Sequence, residues 1–470
     1  MWKKLLITGC VTFSLLSGGT LSAQPSCEIK EEVTSEQLDR TQKELVAMMK
    51  ELKNDSYFQT ELDKAAVQSS LSKRMAAYKD LTVRLLSVLE IQAELEWMKP
   101  EAIQEALGIM KKSSGFDAVL ADKRFGELKS LLAGGFDGIY TGDAQAIDKA
   151  NKTLTLKRKL MLMSPDVNVD KMLTVKFDLG ERANFVGAGS LGIQPNNWSN
   201  LSSASRKNFK AQLVELSGLQ SGELSEKVLY KPAVDGSSVT DLVLNWDGKR
   251  LMFTALDTTR RWQVHELDIN NGEAKQVTNI PEPDLEFFDG TYLPDGRMLA
   301  ISNIGYQGVP CVNGSDAVGN MVLYDPSNGY LRRLTFDQDA NWHPVVMANG
   351  KVMYVRWEYT DLTHYFSRIV MHMNPDGTEQ KSLYGSGSMF PNSIFDVQPL
   401  PKHTNRFVGV ISGHHGVARS GRLMIFDPAK SRKEEKGMIQ ELPFRGRPIS
   451  PWRGQDTRRY ACQWKFCRLR

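Results

Sequence analysis

The side chains best suited to chemistry in this chain of 470 residues lie in two short segments of its second half. The first segment reads Arg356-Trp357-Glu358-Tyr359, followed after one residue by Asp361. Alternation along a strand would place Arg356 and Glu358 on one face and the two aromatic rings on the other. Opposite charges on one face can bind each other or contact a ligand in a channel. We therefore treat Arg356, Glu358 and Asp361 as candidate ligand-binding or channel-lining residues, with a structural ion pair as the alternative.

The second segment contains His414, His415 and Arg419, which are also candidates for lining a channel. Adjacent histidines on a strand point to opposite faces, so both seldom bind one metal ion. A further histidine, His343, is expected to close a loop and to be buried against Trp342.

The cysteines provide little evidence for a catalytic or redox site. Cys311 lies in a long insertion and is a weak candidate for a metal ligand or for one half of a disulfide. The sequence contains no zinc-finger spacing and no Cys-x-x-Cys-His motif, which excludes a covalently held c-type haem on this chain. It also contains no P-loop, no GxGxxG and no Ser-His-Asp order. We predict no catalytic residue and no cofactor, and leave enzymatic activity open.

A repeated turn indicates the elements that must position these residues. Gly248, Gly296 and Gly350 each follow Asp or Asn between two apolar runs, and they lie 48 and 54 residues apart. Asx-Gly pairs adopt the positive φ that tight hairpin turns require. A unit of four short antiparallel strands at this period is typical of a β-propeller blade. A plain β-sandwich is the alternative.

The fold class that follows is mainly β, a propeller with about five recognisable four-stranded blades, preceded by an α-helical segment. The least regular blade, the first, would contain strands near 173–177, 190–193 and 211–216. The fifth would contain strands near 395–399, 406–411 and 422–427, with a fourth near 439–442. Long insertions at 305–320 and 359–367 should lie on the faces of the propeller, where binding surfaces form.

The first 23 residues have the features of an export signal. Lys3 and Lys4 precede an apolar stretch, and small residues precede Gln24. Cys10, in a sequence similar to a lipobox, offers the alternative of a lipid-anchored protein, the only route to membrane attachment that we expect. No later segment has 18 or more apolar residues. The mature protein is therefore expected to be periplasmic or secreted.

Three further regions follow the signal. Residues 24–165 have helical periodicity with a capping box at Thr34, and could form a cap beside the propeller or a partner-binding hairpin. Their charges are mixed in sign, which gives no support for nucleic-acid binding. The propeller is expected over 166–444. Residues 445–470 hold eight Lys or Arg and one acidic residue, which indicates either a tail for an anionic surface or a frame-shifted end with the last blades missing.

Residues 158–427 resemble the propeller of the hydrazine synthase alpha subunit and its wider family of exported bacterial proteins. The strings that carry the resemblance are Ser164–Lys176, Tyr292–Ser302, Asn341–Gly350 and Tyr354–Asp361. The middle blades are also similar to six-bladed propellers of the TolB type. The resemblance implies the fold, but the haem-attachment motif that this family carries beyond the propeller does not occur in this sequence, so the resemblance does not imply the reaction.

Two functions from different classes are consistent with these features. The first is a non-catalytic periplasmic propeller whose mouth binds a protein or a small ligand. The second is a subunit of a redox enzyme complex that forms one wall of an active site, with the haem on another domain or chain.

Overall fold

The structure is a computed structural model, and it describes residues 33–96, 98–165, 167, 169–178, 200–204, 206–207, 209–220, 224–310, 313–358, 368–388, 390–391, 393–412, 419 and 422–442. The chain divides into two compact units. One is helical and contains Trp2–Met172 with Leu216–Glu226, and the other is built from β-sheets and contains Leu173–Glu215 with Lys227–Arg470. The expected signal, the cysteines and the basic tail lie outside the described residues.

The helical unit begins at the predicted capping box. The Gln37 backbone N–H donates to Thr34 Oγ1 at 3.2 Å, and the Thr34 N–H donates to Gln37 Oε1 at 2.9 Å, so this prediction is confirmed. Leu45, Tyr78 and Leu85 are buried in one apolar cluster of the unit. The helices are α1 Ser35–Met49, α2 Ser56–Ala66, α3 Leu71–Glu96, α4 Pro100–Met110, α5 Ala118–Ala133 and α6 Ala144–Met161. Within the described part of the chain, no helix combines the length and the apolar character needed to cross a bilayer.

The β unit consists of antiparallel sheets that we call blades 1 to 5. Blade 1 contains β1 Lys171–Asp178, β2 Lys210–Ser217 and β3 Ser225–Tyr230, in that order. Blade 2 contains β4 Val239–Leu244, β5 Arg250–Leu256, β6 Trp262–Asp268 and β7 Ala274–Gln276, and blade 3 contains β8 Phe287–Tyr292, β9 Met298–Ser302, β10 Asn320–Asp325 and β11 Tyr330–Arg333. Blade 4 contains β12 Asn341–Val346, β13 Val352–Trp357, β14 Arg368–Met373 and β15 Lys381–Tyr384. Blade 5 contains β16 Ser393–Pro399, β17 Phe407–Ser412, β18 Arg422–Phe426 and β19 Met438–Leu442. Each of blades 2 to 5 is a meander of four strands, and one parallel residue pair, Arg368 with Ser393, joins blades 4 and 5.

The predicted repeat is present at the same place in three blades. Gly248, Gly296 and Gly350 each lie between the first and second strands, with φ of 69°, 89° and 79°. Each glycine N–H donates to the carbonyl three residues earlier, at 3.0 to 3.2 Å. The prediction for blade 1 was wrong in one respect, because it omitted β3 at Ser225–Tyr230; its predicted strand at 190–193 lies outside the described residues.

Apolar side chains of neighbouring blades bury each other, as propeller blades must. Four separate clusters join blade 1 to 2, 2 to 3, 3 to 4 and 4 to 5. Representative members are Leu213 with Phe253, Met252 with Met298, Leu299 with Tyr354, and Val355 with Phe395.

The strand order gives blades 2 to 4 two different ends. In an antiparallel meander, the first and third turns lie at one end, and the middle connection lies at the other with the link to the next blade. The Asx-Gly turns therefore form what we call the turn face. The opposite end, the connection face, includes the described residues of 303–319 and of 334–340. Two different kinds of connection thus meet on one face.

Candidate functional site

The first strand of each of blades 2 to 5 contains a β-bulge near the connection face. The pairing register shifts at Thr240/Val243, Phe288/Thr291, Trp342/Val345 and Phe395/Gln398. In every case a polar residue within the bulge has a positive φ, between 50° and 55°. These residues are Asp241, Asp289, His343 and Asp396. Asp and His tolerate this left-handed conformation better than most side chains.

The bulge residues of consecutive blades are linked by hydrogen bonds. A bulge removes a backbone N–H from the strand ladder, and a buried N–H needs another acceptor. The Asp289 N–H donates to Asp241 Oδ2 at 3.1 Å, and the His343 N–H donates to Asp289 Oδ2 at 2.5 Å. The Asp396 N–H donates to His343 Nδ1 at 3.1 Å. The first strands of four blades must therefore lie side by side, which is the radial arrangement of a propeller.

The same contacts determine the protonation of the His343 ring. Nδ1 accepts a hydrogen bond, so the proton of the neutral imidazole is on Nε2. Nε2 lies 3.3 Å from Asp396 Oδ1 and 3.8 Å from Asp289 Oδ2. The ring is buried, and both of its nitrogens face groups of this chain.

Arg419 completes this group of side chains, which we call the axial cluster: Asp241, Asp289, His343, Asp396 and Arg419. The guanidinium carbon lies 5.3 Å from the centre of the Trp342 ring and 4.9 Å from that of Phe395. Burial lowers the pKa of Arg419, and the carboxylates of Asp396, Asp289 and Asp241, with that of Asp316, oppose this effect.

A second group of charges, the rim cluster, lies at the ends of β13 and β14. It contains Asp337, Asp339, Arg356, Glu358 and Arg368. The Arg356 guanidinium forms an ion pair with Glu358 and lies 3.3 Å from Asp337 Oδ1. Asn341 Nδ2 donates to Asp337 Oδ2 at 3.0 Å.

Aromatic rings connect the two clusters. Trp357 is buried and stacks on Trp342, with ring centres 6.4 Å apart. The Arg368 guanidinium carbon lies 4.5 Å from the centre of the Trp357 ring. Because Arg419 lies on Trp342, the two indoles form a continuous line of contacts between the clusters.

Asp339 has the most perturbed carboxyl group of the rim cluster. Asp339 is buried, with 1% of its surface exposed. The pKa of Asp339 is raised to about 6, mainly by burial; Arg368 opposes this shift, while Glu358 and Asp337 contribute to it. At neutral pH this carboxylate is therefore held in the folded protein at a cost in stability.

The structure describes three of the candidate residues predicted from the sequence. Arg356 and Glu358 pair with each other at the rim, and Arg419 lies in the axial cluster. The other candidates, Asp361, His414, His415 and Cys311, lie outside the described residues. The expectation that His343 closes a loop was wrong, because it lies within β12. Over the described ranges, no group of three or more His, Cys, Asp or Glu side chains could hold a metal ion.

Most residues of the axial cluster were not predicted, although the sequence carries a signal for them. Asp241, Asp289 and His343 each lie seven residues before a turn glycine. A polar residue at one fixed distance from a repeated turn marks an equivalent position in each blade.

Comparisons with known proteins give the following matches. No protein-family profile and no curated protein matches the chain. Hydrazine synthase from Kuenenia stuttgartiensis is similar over 58% of this chain and 39% of that chain, with 13% identity and a TM-score of 0.42. TolB from Acinetobacter baumannii is similar over 46% of each chain, with 18% identity and a TM-score of 0.30. An oligogalacturonate lyase in complex with manganese is similar over 50% of this chain and 62% of that chain, with 14% identity and a TM-score of 0.34.

The chain thus spans about two-fifths of the length of the hydrazine synthase that it matches. The propeller scaffold is assigned from the strand order and the repeated bulges of this chain. At these identities and TM-scores, activity, ligand and partner do not carry over from the matched proteins.

Proposed function

We propose that this protein is a non-catalytic periplasmic β-propeller that binds a protein or a small ligand at the connection face. One observation carries the proposal: charged and polar side chains from three blades converge at this end, with Asp289 from blade 3, the imidazole of His343 from blade 4, and Asp396 and Arg419 from blade 5. Buried charges are costly, and they are retained most often where they fix a specific arrangement or bind a ligand.

The surface beside the rim cluster supports binding. Tyr306 is 58% exposed and Phe336 is 73% exposed. The Arg333 guanidinium carbon lies 4.6 Å from the centre of the Phe336 ring. A Cβ at Gly305 would lie 2.9 Å from Asn320 Oδ1 and 3.2 Å from Arg333 Nη2, so the chain packs closely here. Exposed aromatic rings with arginine, on a well-packed support, are enriched at binding interfaces.

The state of His343 supports a role in positioning instead of proton transfer. Its Nδ1 accepts the Asp396 N–H, and its Nε2 faces two carboxylates of the protein. A general base must reach a proton of the substrate. A buried ring with both nitrogens engaged is better suited to holding blades 3, 4 and 5 together.

Export to the periplasm rests on residues 1–23. We expect signal peptidase to cleave the protein after Ala23, so that intact-mass measurement of the periplasmic protein gives a chain beginning at Gln24. A mature chain that begins with lipid-modified Cys10 would support the lipoprotein alternative, and an uncleaved cytoplasmic chain would contradict export.

Binding at the connection face is tested with two matched double variants. Arg356→Gln with Glu358→Gln neutralises the rim pair, and Asp295→Asn with Arg297→Gln neutralises an ion pair of 2.6 Å on the turn face. Both leave the net charge unchanged. The mature proteins are immobilised and exposed to a periplasmic extract of the source bacterium. We expect the wild type and the turn-face variant to retain equal amounts of ligand, and the rim variant to retain at least tenfold less.

Circular dichroism would first show that both variants are folded, since exposed or partly exposed ion pairs contribute only about 0–1 kcal/mol. Equal retention by all three proteins, no retention above a blank matrix, or loss with the turn-face variant alone would contradict the proposal.

The same experiment tests the second function. The string Arg356-Trp-Glu-Tyr-x-Asp361 favours a hydrazine synthase alpha-like subunit that forms one wall of an active site. A haem protein in the retained fraction, seen by its Soret absorbance and lost with the rim variant, would support this function. A retained fraction without haem would contradict it.

A further inference from the structure

The axial cluster has the chemical composition of a site for a planar organic cation. We propose that it is a guanidinium-binding subsite, occupied in this structure by Arg419 of the chain itself, and that an alkylguanidinium group such as the arginine side chain of a ligand can take the same place. This inference deepens the proposed function, on which it rests, by naming the class of group that the propeller mouth receives.

Two aromatic rings form the walls of the subsite. Trp342 and Phe395 meet edge to face, with ring centres 5.5 Å apart and an interplanar angle of 71°. The guanidinium of Arg419 lies within 5.3 Å of both ring centres. A guanidinium is weakly hydrated and stacks on aromatic faces, whereas an ammonium is strongly hydrated and compact. This geometry therefore favours guanidinium over ammonium.

Carboxylates supply the complementary charge. Asp241, Asp289, Asp316 and Asp396 all act electrostatically on the Arg419 guanidinium. His343 also lies beside it, with Nε2 at 3.5 Å from Arg419 Nη1. Among the described residues around this subsite, four carboxylates lie around one guanidinium, and an excess of negative charge attracts cations.

Three of the four carboxylates accept hydrogen bonds from groups other than Arg419. Asp241 accepts the N–H of Asp289, and Asp289 accepts the N–H of His343. Asp316 accepts a hydrogen bond from Ser202 Oγ at 2.7 Å. Removal of the Arg419 side chain should therefore leave the acids in place, and a preformed site binds its ligand without the cost of ordering these groups.

Chemical rescue tests the inference on the purified mature chain. We expect Arg419→Ala to melt at a lower temperature than the wild type, and ethylguanidinium chloride at about 10 mM to raise the Tm of the variant by about 3 °C, as expected for a ligand at roughly ten times its Kd. The wild type, whose subsite is filled in cis, should shift by less than about 1 °C. Equal concentrations of ethylammonium chloride and of sodium chloride control for charge and ionic strength.

A second variant identifies the place of binding. Asp396→Asn in the Arg419→Ala background should reduce the rescue at least twofold. If Arg419→Ala does not fold, Arg419→Met keeps the bulk of the side chain without its charge and is used in its place, with ethylguanidinium binding followed by calorimetry. Equal shifts for wild type and variant, equal shifts with ethylammonium, or rescue unaffected by Asp396→Asn would overturn the inference.

This test and the retention experiment can fail independently. If rescue fails while ligands are still retained through the rim cluster, the guanidinium subsite is contradicted and the binding face is not. Rescue without any retained ligand would leave the subsite intact and contradict the proposed function.

Discussion

Replacement of Asp289 by alanine will lower the free energy of unfolding by about 3 kcal/mol, because the buried His343 N–H loses its acceptor and a charged network loses one partner. The Asp289 carboxylate accepts that N–H at 2.5 Å and lies 3.8 Å from His343 Nε2. Alanine is also less suited than aspartate to the φ of 53° at this position. Urea unfolding followed by tryptophan fluorescence would measure the loss, since Trp262, Trp342 and Trp357 are buried in the β unit.

Asp289→Asn is the matched control. Asparagine tolerates the same backbone conformation and keeps an oxygen acceptor for the His343 N–H, but it carries no charge. We expect Asp289→Asn to lower the free energy of unfolding by about 1 kcal/mol, since only the electrostatic part of the Asp289 interactions is lost. A cost below about 0.5 kcal/mol for Asp289→Ala would mean that the bulge hydrogen bonds do not hold the blades together.

Replacement of Asp339 by asparagine will raise the free energy of unfolding at pH 8 by about 2 kcal/mol. A pKa difference of roughly two units between the folded and unfolded states corresponds to a free energy of about this size. The pKa of Asp339 is raised to about 6 in the folded protein, above the ordinary value of about 3.9 in the unfolded chain. The folded state therefore binds the proton more tightly, and the carboxylate destabilises it as pH rises from about 4 to 6.

The pH dependence distinguishes this effect from a change in packing. The difference in the free energy of unfolding between Asp339→Asn and the wild type should be near zero at pH 4 and should reach its full value above pH 6. Asp337→Asn, two residues away, is the control, because Asp337 contacts Arg356 and Asn341 and its neutralisation should not stabilise the protein. A difference for Asp339→Asn that is the same at pH 4 and pH 8 would contradict a raised pKa.

The parts of the fold that sequence analysis could predict are those with local signals. The turns at Gly248, Gly296 and Gly350 are visible because positive φ restricts the residue type at that position. The ion pair of Arg356 with Glu358 follows from the alternation of side chains at the end of β13, which Glu358 follows directly. The strand β3 carries mostly exposed residues, so no apolar pattern marks it.

The axial cluster depends on features that a single strand does not show. Strand alternation assigns Asp241 to a face, but a bulge changes the direction of its side chain. Its partner, the N–H of Asp289, lies 48 residues away and in another blade. Asp339 is similar, because its environment is formed by the ends of β13 and β14 and not by its own segment. Only the three-dimensional arrangement brings these groups together.

The hydrogen bonds between bulges have a direction, since each of blades 2 to 4 provides the acceptor for the backbone of the blade that follows it. A chain divided between blades 3 and 4 would leave the carboxylate of Asp289 on the N-terminal fragment and the N–H of His343 on the C-terminal fragment. The two pieces would carry complementary halves of one bond, together with the apolar surfaces of β9 and β13 that cover each other. The propeller is thus organised as an ordered series of modules, each of which specifies the orientation in which its successor docks.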